Sequence, residues 1–184
     1  METTLSLTLR KLQDKFGQDI VSVSSWRGDD CVVIRKEALL AVATFLRDDP
    51  ELDYNFLVDL GGVDYLNHPK PQPERFAVAY HFLSMKFKHR VRVKVYAGLK
   101  DPEIDTLCGM WKAANWMERE VFDQYGLKFK GHPNLKRILN HAEFVGHPLR
   151  KDYPIRKRQV LTESDTLMDE MQKRLEFKGL TTGR

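Results

Sequence analysis

The sequence is short of the residues that build covalent or metal frameworks. Its 184 residues include only two cysteines, Cys31 and Cys108, far apart in the chain. Two thiols cannot form a multi-disulfide scaffold, and they cannot ligate an iron–sulfur cluster that needs four. A reducing cytoplasm therefore suits the chain. No stretch approaches the roughly 18 consecutive apolar residues that span a bilayer. The start, METTLSLTLRKLQDKF, carries an early acid and no apolar run, so it does not read as a secretory signal. There is no G-x-G-x-x-G after a strand, no G-x-x-x-x-G-K-[ST] and no G-x-S-x-G. These absences argue against a dinucleotide fold, a P-loop and a serine-hydrolase elbow.

What is present is enough for one core. Apolar residues make up 42% of the chain and charged residues 30%, a balance typical of a globular protein. The net charge of +4 is unevenly placed. Residues 128–184 carry 13 Lys/Arg against 7 Asp/Glu, while residues 1–127 carry 17 against 19. A near-neutral body with a basic C-terminal third could meet nucleic acid, anionic lipid or an acidic protein face.

The hydrophobic periods predict the elements. Leu5, Leu9, Leu12 and Phe16 share one helical face, and Gly17 ends it. CVVIR (31–35) is a β-branched strand, and Lys36 to Leu46 a second helix. NFLVDLGGVDY (55–65) is a strand with a bulge or bend expected at Gly61-Gly62, and HPKPQPE (68–74) is a loop. Phe76, Val78, Tyr80 and Phe82 alternate, as do Val91, Val93 and Val95, with Arg92 and Lys94 on the other side. That is an antiparallel pair with one wet face, joined through SMKFKHR. Asp101 and Pro102 mark the start of a helix over 101–111. NWMEREVFDQYG (115–126) is another, stopped at Gly126. Beyond Gly131, Pro133, Pro148 and Pro154 leave room for helical turns only at 134–139 and 161–177. The expected fold is α+β: a mixed, largely antiparallel sheet with flanking helices and an extended Pro-rich C-terminal strap. The expected division is a compact domain over 1–130 and an extended segment over 131–184 that packs on a partner subunit.

Three constellations could carry chemistry. His132, His141 and His147 could serve a metal-dependent hydrolase, His141 and His147 at H-x5-H spacing. A closed site lacks the rest of its ligands, however, and Pro after His132 and His147 is a turn signature on its own. In MEREVFDQYG, Arg119 and Asp123 stand four apart and can meet, whereas Glu118 and Glu120 point in different directions. Trp116, Val121, Phe122 and Tyr125 leave this helix little wet surface, so some of its charges must pair within the fold or at an interface. PLRKDYPIRKR has the charge to bind nucleic acid but only Tyr153 to stack on a base. A basic strap across an acidic partner accounts for it more simply.

Three motifs in order carry a resemblance. They are W-x-E-R-E-x-x-D-x-x-G (Trp116 to Gly126), F-x-G-H-P-x-L-x-R-I-L (Phe129 to Leu139) and G-H-P-L-R-K-D-Y-P (Gly146 to Pro154). With LVDLGGVDY, RFAVAYHFLS and RVRVKVY upstream, the chain over roughly residues 52–155 resembles the C subunit, of the 30-kDa subunit family, of type I NADH:quinone oxidoreductase, respiratory complex I. The resemblance implies an accessory, non-catalytic subunit of the peripheral arm with no cofactor of its own. FMN and Fe-S clusters would sit in partner subunits. The D subunit, which bears the quinone site, would be the main partner, on the cytoplasmic face of the bacterial inner membrane. The family's motifs fall here on Glu118, Arg119, Glu120, Asp123, His132, Pro133, Arg137, His147, Pro148, Arg150, Lys151 and Asp152, expected to hold the fold or the partner. Membrane-bound hydrogenases and formate hydrogenlyases use a similar module and are the alternative.

Overall fold

The computed structural model describes residues 6–157, 159 and 162–178. Leu5 and the last residues of the tail lie outside that range. Helix α1 (Leu7–Phe16) starts where the Ser6 hydroxyl accepts the Leu9 N–H at 3.2 Å. Strands β1 (Ile20–Trp26) and β2 (Asp29–Ile34) form a hairpin. A 3-10 turn at Lys36–Ala38 leads into α2 (Leu39–Asp48). Then come β3 (Phe56–Asp64), β4 (Phe76–Leu83) and β5 (Arg90–Ala97). A short β6 (Glu103–Asp105), helix α3 (Ala114–Tyr125), a short β7 (Lys128–Lys130) and α4 (Thr162–Phe177) follow.

The main sheet runs β1-β2-β5-β4-β3. All its neighbours are antiparallel except β2 and β5, which are parallel. This is the mixed, largely antiparallel α+β sheet that the alternation predicted. Val32, Val93, Tyr80 and Leu60 form one cross-strand row on the inner face. Leu9 and Leu12 of α1, Leu39, Val42 and Leu46 of α2, and Val121 of α3 join the same core cluster. Each such side chain contributes about 1.5–3 kcal/mol on full burial. On the other face Arg92 and Lys94 stay partly wet, and Lys94 donates to the Tyr65 hydroxyl at 2.9 Å.

Several local expectations give way. Residues 101–111 are not a helix: Glu103–Asp105 pairs in parallel with Lys128–Lys130. A strand partner 25 residues away overrode a local Asp-Pro start signal. Strand β1 was not anticipated at all. The bulge in β3 falls between Leu57 and Asp59, not at Gly61-Gly62. Gly62 is there for space, because a Cβ on it would lie 2.6 Å from the Tyr125 ring of α3. Residues 134–139 form no helix, whereas 162–177 of the expected 161–177 stretch form α4, Leu161 lying outside the described residues.

Candidate functional site

Helix α3 ends at Gly126 in the left-handed region (φ 76°), and its N–H returns to the Phe122 carbonyl at 2.9 Å. Three further carbonyls at that end have no partner within the helix. The strap supplies all of them. His147 Nδ1 donates to the Asp123 carbonyl at 3.0 Å, the Leu149 N–H to Gln124 at 3.2 Å, and Arg150 Nε to Tyr125 at 2.6 Å. The second Gly-His-Pro segment is therefore a helix cap built from a distant part of the chain. Gly126 is needed twice over, since a Cβ would meet His147 Nε2 and Arg150 Nη2 at 2.5 Å each.

The Asp123 side chain is the anchor of the strap. It is fully buried. Oδ2 accepts three successive backbone N–H groups, from Ile138 at 3.1 Å and from Leu139 and Asn140 at 2.8 Å. Oδ1 takes Arg137 Nη1 at 2.6 Å and Asn140 Nδ2 at 3.0 Å. Burial alone would raise its pKa, but the Asn140 donors, Arg137 and the Leu139 N–H outweigh it and hold the carboxyl well below the usual range. Arg137 goes on to donate to the Phe144 and Gly146 carbonyls at 3.0 and 2.9 Å. One guanidinium thus ties both limbs of the strap to one carboxylate.

A second anchor lies at the edge of the sheet. Asp64 of β3 takes Arg75 as a fork, Nε at 3.0 Å and Nη2 at 2.9 Å, and also accepts the Lys151 N–H at 2.9 Å. The same guanidinium reaches Asp152 at 2.7 and 3.0 Å, and these two carboxylates raise the Arg75 pKa. The Arg150 side chain lies over the Phe76 ring at 5.2 Å. Desolvation, reinforced by Arg75, lowers the Arg150 pKa.

The first Gly-His-Pro works at the other end of α3. His132 Nε2 donates to the Asn115 carbonyl at 3.1 Å while its Nδ1 accepts the Asn134 N–H at 3.0 Å. Buried Glu118 accepts the Thr106 hydroxyl at 2.5 Å, the Leu107 N–H at 2.7 Å and the Cys108 thiol at 3.4 Å. Burial raises the Glu118 pKa and pushes the Cys108 thiol up to about 11. Among the described residues, Cys108, Glu118 and His132 form the one group whose ligand atoms lie close enough to share a metal, within 4.8 Å. Both imidazole nitrogens are committed to backbone groups, and the thiol is held protonated. These donors form one hydrogen-bond network at the start of α3. His132, His141 and His147 form no common ligand group there, and His141 stands edge-on to Phe144 at 5.7 Å.

The expected Arg119–Asp123 pair does not form. Arg119 donates instead to the Lys136 and Arg137 carbonyls at 3.0 and 3.1 Å and lies over the Trp116 ring at 5.2 Å. Asp123 turns to donors that reach it inside the core, where an exposed helix pair would gain only about 0.5 kcal/mol. Glu118 and Glu120 do point apart, one buried and one exposed. Trp116 and Glu120, one turn apart on α3, are both exposed, so this face is wetter than the aromatic content implied. Pro133 is exposed, Pro148 is half-buried, and Lys151 contributes its backbone while its side chain is exposed. Arg75, Asn140 and Thr106 were not anticipated. Their partners are distant in sequence, and no local spacing marks them. Away from these hydrogen bonds, the side chains of Leu139, Val145, Leu149 and Ile155 face outward at 66, 67, 49 and 98% exposure.

Residues 32–159 match the family described as the respiratory-chain NADH dehydrogenase 30 Kd subunit, a wider span than the motifs alone covered. The chain is 45% identical over 145 residues to the C subunit of the NADH-quinone oxidoreductase of Geotalea uraniireducens, covering 79% of this chain and 85% of that one. It is 45% identical over 152 residues to the corresponding C subunit of Roseiflexus castenholzii, covering 83% and 85%. Among solved structures it superposes on a trypsin-resistant fragment (1–134) of Nqo5 with a TM-score of 0.63 and 34% identity, over 70% of this chain and all of the fragment. A chain of a membrane-bound sulfane sulfur reductase, an archaeal respiratory membrane complex, superposes with a TM-score of 0.64 at 17% identity, a likeness of fold alone.

Proposed function

We propose, from the premise that this chain belongs to the family of the 30-kDa subunit of the respiratory-chain NADH dehydrogenase, that it is the non-catalytic, cofactor-free C subunit of an NADH-quinone oxidoreductase. In that reading electrons pass from NADH through FMN and iron–sulfur clusters in other subunits to a quinone. This chain clamps the D subunit, which bears the quinone site, within the peripheral arm on the cytoplasmic face of the membrane. No helix among the described residues is long and apolar enough to cross a membrane, which fits attachment through partners.

The observation that carries the reading is the two-sided strap. Its inner side is tied to α3 and β3 through Asp123 and Asp64. Its outer side presents Leu139, Val145, Leu149 and Ile155. A backbone already fixed by hydrogen bonds loses little freedom when a partner covers it, so its apolar contacts convert efficiently into affinity. The contribution to catalysis is geometric: redox centres held at fixed separations by a rigid neighbour.

The test pairs Leu149→Asp with Ile155→Asp in the full chain. Both side chains point outward, so the free subunit should keep its melting temperature. It should no longer co-purify with a flavin- and iron–sulfur-containing membrane complex, and NADH:quinone activity should fall. Normal assembly of this variant would overturn the docking reading.

A further inference from the structure

The main sheet has two ends, and the strap occupies one of them. Asp64, Phe76 and Ala97 stand in register there, and Lys151 and Asp152 attach beside them. Phe56, Leu83 and Arg90 stand in register at the other end. Strand β2 also starts at that end, because it runs parallel to β5 with Asp30 beside Val91. Two turns therefore project together, one around Arg27 between β1 and β2 and one over 84–89 between β4 and β5. At about 3.4 Å per residue, the eight residues of β4 hold the two ends roughly 24 Å apart.

The end away from the strap is apolar and basic at once. Trp26, Phe56, Met85 and Phe87 are 74, 49, 59 and 42% exposed. Arg27, Lys86, Lys88, Arg90 and Arg92 are exposed among them, and none is in an ion pair among the described residues. Arg27 lies over the Trp26 ring at 5.6 Å and Lys86 over Phe87 at 4.8 Å. The exposed acids at these strand ends are Asp29 and Asp59, so positive charge is in excess. Aromatic residues, Met and Arg are the types enriched at protein interfaces.

The backbone beneath these side chains is fixed. The Lys88 N–H donates to the Ser84 carbonyl at 2.8 Å, and the Ser84 N–H to the His89 carbonyl at 3.0 Å. The Phe87 N–H donates to the Ser84 hydroxyl and the Met85 N–H to Asn55 Oδ1, both at 3.2 Å. Phe87 stacks on His89 at 5.7 Å, and His89 packs on buried Tyr54 at 4.8 Å. Little freedom is lost when a partner covers such a turn. Arg27 and Lys88 hold φ at 53 and 57°, in the left-handed region that favours glycine. Each turn thus keeps a long cation where glycine would fit with less strain.

We propose that this end of the sheet is a second docking surface, taken by an acid-rimmed apolar hollow on a further subunit of the same assembly. A nucleic acid or an anionic lipid surface carries one sign of charge, which Asp29 and Asp59 would oppose, whereas a protein face can answer both signs. The inference rests on the reading of this chain as a subunit and adds a second contact to that of the strap. With a partner at each end, the sheet sets the distance between two neighbours.

The test is photo-crosslinking within the assembled complex, with a benzophenone side chain at Met85 and, in a separate preparation, at Ile155. The Met85 probe should attach to an acidic segment of a subunit that the Ile155 probe does not reach. Lys86→Glu with Lys88→Glu should abolish that crosslink and leave the Ile155 one in place. Arg27→Gly with Lys88→Gly removes two cations and the left-handed strain together. It should weaken the Met85 crosslink while the melting temperature of the free chain holds or rises. A Met85 probe that reaches no protein, only lipid or nucleic acid, or only the strap's own partner would overturn the inference. So would a crosslink that charge reversal leaves intact. Failure of the Ile155 probe alone would count against the strap reading and not against this one.

Discussion

The two ends of helix α3 each bury a carboxylate completely, and the fold treats them in opposite ways. Asp123 and Glu118 are both 0% exposed. Asp123 sits among three backbone N–H groups, a guanidinium and an amide, and its pKa falls. Glu118 receives one backbone N–H, a hydroxyl and a thiol, with no ion pair to a cation among the described residues, and its pKa rises. Burial penalises the charge in both places, so the number and charge of the donors decide the sign. The difference matches the tasks of the two ends. The Asp123 end must gather a loop-rich strap, and an ionised acceptor can organise many donors at once. The Glu118 end only has to hold the 106–108 turn against the helix.

That contrast predicts unequal costs. Asp123→Ala should have the largest effect, destabilising by about 3–5 kcal/mol, because it strands Arg137 half-buried without its anion and frees three backbone donors. Global stability is typically only about 5–15 kcal/mol, so a urea titration of the free chain will resolve the change. An effect below about 1 kcal/mol would mean that the strap is held by its apolar contacts and not by the carboxylate. Gly126→Ala comes second. It forces a side chain into the left-handed region, at about 1–3 kcal/mol, and drives a Cβ against His147 and Arg150. Its signature should be exposure of 131–153 to protease while the sheet remains protected. Uniform loss of protection would show that cap and body unfold as one unit.

The sheet was legible from sequence because its signal is local: Phe76 to Phe82 and Val91 to Val95 alternate with the period of a half-buried strand. Gly126 was legible as a stop for the same reason. The misreadings share one physical cause, a distant partner that outbids a local rule. The Asp101-Pro102 start yielded to the pairing of β6 with β7. Gly61-Gly62 suggested a bulge, while Gly62 answers to the Tyr125 ring of α3. Arg119 and Asp123 had helical spacing and each found a better partner in the strap. The motif residues of the strap were visible as a group, but their targets were not. No spacing rule says that His147, Leu149 and Arg150 will finish a helix that ended some twenty residues earlier.

Glu118→Gln should have the smallest effect and is the sharpest probe of the comparison. The amide keeps the shape, its oxygen can still accept the Leu107 N–H, and its NH2 can face the second lone pair of Thr106. The cost at acid pH should be about 1 kcal/mol or less. The pH dependence carries the information. An unfolded glutamate titrates near about 4.3 and an unfolded aspartate near about 3.9. Glu118 is raised in the fold, so the folded chain holds its proton more tightly. Its contribution is fully present below the unfolded value and is lost as pH rises through the folded one. Asp123 is lowered, so its contribution is present above the unfolded value and is lost only as pH falls through the folded one. The stability of wild type minus that of Glu118→Gln should therefore decline from pH 4 toward neutrality. Wild type minus Asp123→Ala should stay level over the same interval and collapse only in stronger acid. Denaturant titrations at several pH values measure both differences. A level Glu118 curve would mean that this carboxyl titrates as it does in the unfolded chain. A rising one would mean that it is held ionised, as Asp123 is, and the two ends of α3 would then be governed by the same electrostatics.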